Sequence, residues 1–275
     1  VSRNSIFFLT DYGRRDGFVA ACHGVMMSIA PDVRVVDLTH DVPPQDVRHG
    51  AVVLAQTLPY LPPCVVVGVV DPGVGSERRG IAVVAGDHVL VGPDNGLLPW
   101  AAAAAGGVAE AVELVSPKYR LAGEAMTFHG RDIFAPAAAH VAVGVPVSRL
   151  GPAVGAGDLV RLPEPKVRAR PGVLETEVHV VDHFGNVALA AGPDDLAASG
   201  VGAGQRASIV RGGPAGPDSA TEVVVGRVFA DVAPGEMLLY VDSHRHVALA
   251  VNHGSAAARL GVEPGDQVTI RVLAP

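Results

Sequence analysis

A carboxylate and a guanidinium stand seven positions apart in Asp71-Pro-Gly-Val-Gly-Ser-Glu-Arg78, a loop rich in glycine. Glycine lets such a loop turn sharply and lets backbone approach a ligand. No Gly-Lys-Ser/Thr follows, so this is not a phosphate-cradling loop. Taken locally, Asp71 and Arg78 read as an ion pair holding the turn. Thr127-Phe-His-Gly-Arg-Asp132 sets a second polar group just ahead of a helical pattern. There His129 can act as a general base or position a water, while Asp132 reads as a helix N-cap. Asp182-His-Phe-Gly-Asn186 has turn chemistry. Its Asp182 can also bind an amino group, and the Asn186 amide can read an adenine-like edge. Three histidines, His244, His246 and His253, fall in Asp242-Ser-His-Arg-His246 and Val251-Asn-His253. Their spacing matches no zinc signature, so a surface hairpin is the better reading. Asp11, Asp71 and Asp94 together would make an oxygen-ligand metal site, which keeps a metal-dependent hydrolase as an alternative.

The elements that must position these groups follow from the hydrophobic pattern. Ile6–Leu9, Val33–Leu38 and Cys64–Val70 are short apolar runs that predict buried strands. Phe18, Val19, Cys22, Val25, Met26 and Ile29 recur at helical spacing, so Asp16–Ala30 is predicted helical and is stopped by Pro31. Asp46–Leu58, Leu97–Ala105 and Asp132–Val143 are further helix candidates, and Ile81–Ala85 and His88–Val91 form a strand pair. Strands alternating with helices predict an α/β architecture with a central sheet flanked by helices. Asp11, Asp71 and Asp94 each fall where a strand ends, and ligands of open α/β sheets gather outside the carboxyl ends of strands. They are therefore candidates for one shared site.

Leu162–Gly172, with three prolines and three cations, has linker chemistry. Beyond it, short strands separated by Gly, Pro and Asp predict a smaller all-β barrel or sandwich, with Pro193–Ser199 as its one helical turn. The expected division is an α/β domain over 1–165 and a barrel-like domain over 172–275.

Composition narrows the function classes. Among 275 residues, 49% are hydrophobic and 18% charged, which excludes intrinsic disorder. A net charge of −7 argues against a nucleic-acid partner, since backbone binding needs clustered cations. Cys22 and Cys64 are too few for a disulfide framework, so a reducing, cytoplasmic setting is expected. The first residues lack a signal-peptide pattern. No apolar run approaches the ~18 residues of a membrane span, so no membrane partner is expected.

Seven segments in this order resemble the S-adenosylmethionine (SAM) hydroxide adenosyltransferase family. They are FLTDYGRRDGFVAACHGV, VDLTHDVPPQDVRHGA, VVDPGVGSERRGIAV, VGPDNGLL, TFHGRDIFAPAAAH, VDHFGNV and LYVDSHRHVALAVNHGSAA. They span nearly the whole chain. The resemblance implies an N-terminal α/β domain, a C-terminal β-barrel, and a homotrimer with intersubunit active sites. The implied reaction is SAM plus water giving adenosine and L-methionine, with no cofactor and no metal. Asp71, Arg78 and His129 match the set that holds the attacking water. Asp11 matches the acid on the ribose hydroxyls, Asp182 the acid near the methionine ammonium, and Ser243 the hydroxyl near its carboxylate. Asn186 matches the adenine-reading amide, and Val251 and His253 match positions bordering adenine.

The related halogenating enzymes carry a tyrosine at the position of Asp71 and a Thr or small residue at that of Val74. They also have an Arg in place of His244 and another in place of Val251. The fluorinating members have a long insertion after the strand matching Ile81–Ala85, where this chain runs directly through Gly86-Asp87 to His88. The residues at Asp71 and Val74 and the missing insertion favour water over halide. A chlorinase-like enzyme and a non-catalytic adenosine- or SAM-binding protein are the alternatives.

Overall fold

In the computed structural model, residues 4–123, 126–212 and 220–273 are described. The chain divides into two compact units, Val1–Leu162 and Pro163–Pro275.

The first unit contains strands β1 (Ser5–Thr10), β2 (Arg34–Thr39), β3 (Val65–Val69), β4 (Gly80–Ala85), β5 (His88–Pro93) and β6 (Glu110–Glu113). They form one sheet in the order β2-β1-β3-β5-β4-β6. The first four in that order run parallel, and β4 and β6 complete the sheet with antiparallel pairings. Helices α1 (Phe18–Ile29), α2 (Val47–Thr57), α3 (Pro99–Ala104) and α4 (Ala135–Ala142) cover it.

Strand β3 shows why both faces must be covered. Its sequence, VVVGV, is buried throughout, as expected of a central parallel strand. Successive side chains point to opposite faces. Val65, Val67 and Val69 pack in one core with Cys22 and Met26 of α1 and Ala137–Ala139 of α4. Val66 packs in the other with Ala51 and Leu54 of α2 and Ala101 and Ala102 of α3. Asp46 caps α2, its side chain accepting from the His49 N–H at 2.9 Å.

The second unit contains β7 (Val167–Arg170), β8 (Val173–Val181), β9 (Val187–Leu189), β10 (Arg206–Arg211), β11 (Thr221–Val225), β12 (Met237–Val241), β13 (Val247–Val251) and β14 (Gln267–Val272), with helices α5 (Pro193–Ala198) and α6 (Ala256–Leu260). Strand order β14-β10-β11-β12-β13-β9-β8, with β8 pairing back onto β14, closes a seven-strand barrel. The length of β8 allows this. Val173–Glu177 pair with β14, while Val178–Val181 pair with β9. Leu174, Val178, Leu239, Leu249 and Ile270 fill the interior.

The expected α/β unit and β-barrel are both present. Some local expectations need correction. The segment read as a linker contains β7, which pairs with β8. Its sequence, VRAR, is mostly exposed and therefore carries little apolar signal. The helical turn at Pro193 is joined by a second one, α6, capped by the Ser255 hydroxyl accepting from the Ala258 N–H at 3.1 Å. Asp132 is not an N-cap. It lies inside a π-helical turn, Gly130–Phe134, that leads into α4, and it is buried with its carboxylate held by Arg131.

Candidate functional site

Asp71 follows β3 after a single residue, so the strand delivers it to the carboxyl edge of the sheet. The loop from Gly73 to Ser76 then turns back on itself. Gly75 has φ of +80°, and a Cβ there would lie 2.7 Å from the Met126 carbonyl oxygen. That close approach brings the Asp71–Arg78 loop against the segment carrying His129.

The three groups meet. Arg78 Nε donates to Asp71 Oδ1 at 2.8 Å, and Arg78 Nη2 donates to Asp71 Oδ2. Arg78 Nη2 also lies 2.8 Å from His129 Nδ1. A guanidinium has no acceptor, so His129 Nδ1 must accept this bond. In neutral His129 the ring proton therefore sits on Nε2. Phe134, from the π-helical turn, holds the guanidinium from one side, with Arg78 Cζ 5.3 Å from the ring centroid. The Asp71 and Arg78 side chains are only 6% and 10% exposed, which makes this a largely desolvated ion pair.

Asp71 and His129 line a cavity of about 170 Å³ together with Asp11, Val74 and Gly130. Asp11 is fixed by accepting the Gln45 N–H at 2.8 Å. Tyr12, Phe18 and Phe128 form an aromatic wall, with ring centroids 5.3–5.9 Å apart. Sequence reasoning missed this wall. Its one available signal was the placement of aromatic residues beside Asp11 and His129 in a chain that has few. Burial is the main reason the Tyr12 phenol is pushed well above its ordinary value, with Cys22 and the carboxylates of Asp71 and Asp11 adding to it. Tyr12 therefore stays neutral and can donate a hydrogen bond into the cavity.

Asp94 does not join Asp11 and Asp71. It receives Arg79 Nε at 2.9 Å and Nη2 at 2.5 Å, and its other oxygen accepts the Val160 N–H at 2.9 Å. These contacts make Asp94 a brace for the 158–160 segment. The three-aspartate metal site is thereby set aside. Among the described residues, the one group with metal-ligand proximity is His23, Asp37 and His40.

The second unit has its own cavity, of about 540 Å³. Asn186, Val251 and His253 line it, together with Phe184 and Phe229, two aromatic residues not anticipated from the sequence. Asp182 shapes this cavity indirectly. Its Oδ1 accepts the Phe184 and Asn186 N–H groups at 2.9 Å each, and its Oδ2 accepts Asn186 Nδ2 at 2.8 Å. That bond orients the Asn186 amide and leaves its carbonyl oxygen free to accept from a ligand amine. Ser243 lies on the exposed turn between β12 and β13 and lines neither cavity. The same turn carries His244 and His246, whose N–H groups both donate to Asp242 Oδ1 at 2.9 and 2.8 Å. It is a hairpin turn, as expected.

Comparison with known proteins now decides the family. Residues 6–151 match the SAM hydroxide adenosyltransferase N-terminal domain, and residues 176–269 match the corresponding C-terminal domain. The chain belongs to the SAM hydroxide adenosyltransferase family. It is 54% identical, over 96% of its length and 97% of the relative's, to the (R)-S-adenosyl-L-methionine hydrolase of Salinispora tropica. It is 30% identical, over 98% and 97% of the two chains, to the fluorinase of Actinopolyspora mzabensis. The crystal structure of an uncharacterized conserved protein from Thermotoga maritima superposes with a TM-score of 0.89 at 34% identity, covering 97% of this chain and 99% of that one. Within the family, the hydrolase relative is thus much nearer in sequence than the fluorinase.

Proposed function

We propose that this chain is a hydrolase of S-adenosylmethionine in which water attacks C5′ to give adenosine and L-methionine. The observation that carries this reading is Arg78 bridging Asp71 and His129, the latter two on the cavity wall. The 54% identity to a named SAM hydrolase supports it.

The chemistry asks for a nucleophile rather than an acid. The C5′–S bond breaks with its electron pair going to sulfur, and the sulfonium leaves as a neutral thioether. The C5′–O bond forms from water, which must lose a proton. Water has a pKa of ~15.7, so free hydroxide is scarce at neutral pH. Each carboxylate oxygen of Asp71 spends one lone pair on Arg78 and keeps another for the water proton. Arg78 stays protonated and stabilises negative charge developing on the oxygen. With Nδ1 occupied by Arg78, His129 serves as an orienting donor through Nε2–H rather than as the base. An anion meeting a sulfonium cancels charge, which a desolvated pocket favours over bulk water. Holding the water at near-attack distance contributes several kcal/mol, with ~7–11 as the upper range for such proximity effects.

We assign Asp11 to the ribose hydroxyls, Asn186, Val251 and His253 to the adenine side, and Asp182 and Ser243 to the methionine end. We further propose a cytoplasmic homotrimer in which the cavities serving one substrate come from different copies. In support, about 170 Å³ around Asp71 falls short of the ~300–1,000 Å³ that encloses a drug-sized ligand. Cys22 and Cys64 are not joined in a disulfide, which suits a reducing compartment.

Purified protein incubated with SAM and a chelator should release adenosine and methionine in equal amounts. Asp71→Ala should lower kcat by ~10²-fold or more, the scale for removing a group that acts on charge in the transition state. Intact SAM after long incubation would indicate a binding protein. 5′-Chloro-5′-deoxyadenosine formed in chloride would indicate a halogenase.

A further inference from the structure

Helix α1 and strand β2 bring two imidazoles and a carboxylate together at a place the reaction does not use. His23 lies on α1, Asp37 on β2, and His40 just beyond β2. Their donor atoms all lie within 4.8 Å of one another. None of the three lines the cavity around Asp71.

The inner ligand is unusually well prepared. His40 is 1% exposed. Its ring packs edge-on against Phe8, with centroids 4.9 Å apart, and its Nδ1 is bonded to Thr10 Oγ1 at 2.8 Å. Its Nε2 lies 3.0 Å from Asp37 Oδ1 but off the direction of a hydrogen bond, leaving a buried ring nitrogen without an aligned partner. His23 Nε2 approaches the same oxygen at 2.8 Å. The His23 and Asp37 side chains are 27% and 35% exposed, so the cluster opens to solvent on one side.

We propose that His23, Asp37 and His40 form a structural site for a divalent transition metal of the zinc class. Two imidazoles and one carboxylate are a donor set such ions prefer, with bonds of ~2.0–2.2 Å and a fourth position for water. Tetrahedral ligand atoms at that bond length stand about 3.4 Å apart. Asp37, the outer ligand, therefore withdraws by about half an ångström to admit the ion. The Thr10 hydroxyl is the outer partner a metal-bound imidazole needs. With Nε2 on the ion, His40 Nδ1 carries the proton and donates to Thr10.

The ion would clamp the segment that carries Asp11 and Tyr12. Thr10 Oγ1 also accepts the Tyr12 N–H at 3.1 Å, and the His40 carbonyl accepts the Gly13 N–H at 2.8 Å. The site therefore tightens one wall of the cavity without entering the chemistry. It stands on its own donors and does not depend on the hydrolase reading.

The test uses the full chain, stripped with a chelator and dialysed. Zinc titrated by calorimetry should bind one ion per chain, cobalt(II) should develop a ligand-field spectrum with nitrogen ligation, and zinc should raise the thermal midpoint. His23→Ala and Asp37→Asn, both on the solvent side of the cluster, should each weaken zinc binding ~10-fold or more, the scale of losing a group that supports a metal. His244→Ala should leave binding unchanged. Absence of stoichiometric binding, or binding indifferent to both His23→Ala and Asp37→Asn, would overturn the site.

Discussion

The Asp71 carboxylate meets Arg78 through both oxygens, and Arg78 reaches on to His129. This arrangement leaves Asp71 as the group with both charge and spare lone pairs for a water proton. The Asp71–Arg78 pair was legible in the sequence because seven positions of glycine-rich loop leave little else for the two charges to do. The role of His129 was only half legible. Its nearness to Arg78 depends on a contact across 51 positions, and its tautomer depends on the donor it faces. A pH prediction belongs at this scale. Burial pushes the Tyr12 phenol well above its ordinary value and the Cys22 thiol up to about 12. Both folded values are raised, so their stabilisation is fully present below the unfolded values of ~8.5 and ~10 and is lost as pH climbs through the folded ones. The free energy of unfolding in urea should fall from pH 8 to pH 11, by at most ~1.4 kcal/mol per pH unit for each group. Tyr12→Phe should flatten that slope above pH 10. An unchanged slope would mean that Tyr12 is solvated.

The π-helical turn, Gly130–Phe134, is the element that makes the site. It starts directly after His129, seats Phe134 against Arg78 and presents Gly130 to the cavity. Such turns are frequent at functional sites. Nothing in the sequence distinguishes one from the first turn of an α-helix, which is why Asp132 looks like an N-cap from sequence alone. The need for Gly130 was also hidden. A Cβ there would lie 2.1 Å from the Tyr12 hydroxyl oxygen and 3.1 Å from the ring carbon that bears it. Gly130→Ala should therefore destabilise by ~1–3 kcal/mol through overpacking. In a Tyr12→Phe background, where the nearest atom is gone, the same change should cost less. A double-mutant cycle by denaturant unfolding reads the coupling. Additive costs would place Tyr12 away from Gly130. Other elements were missed for a simpler reason. Strands β6 and β9 have four and three residues, too few for alternation to register.

Across the whole molecule, the alternation of buried strands and amphipathic helices made the first unit legible, since both faces of a parallel sheet must be covered. The second unit could be read as all-β, but whether it was barrel or sandwich stayed open. Closure depends on β8 serving β14 with one half and β9 with the other, a division that follows from register rather than composition. The proposed assembly has a direct test. Asp71→Asn and Asn186→Ala, each expected to be nearly inactive alone, should recover part of the wild-type activity when co-expressed. Mixed trimers would then contain some sites with both residues intact. Failure to recover activity, with both variants folded and trimeric, would assign each site to a single copy.

Whether water is delivered to C5′ is read most directly by running the reaction in H2 18O and weighing both products. Attack at C5′ should place one 18O in the adenosine formed and none in the methionine. The rate of forming that labelled product should fall ~10²-fold or more in Asp71→Ala while the protein stays folded. Unlabelled adenosine, or methylthioadenosine in its place, would contradict a water held by Asp71 and His129, with Arg78 behind them, for displacement at that carbon.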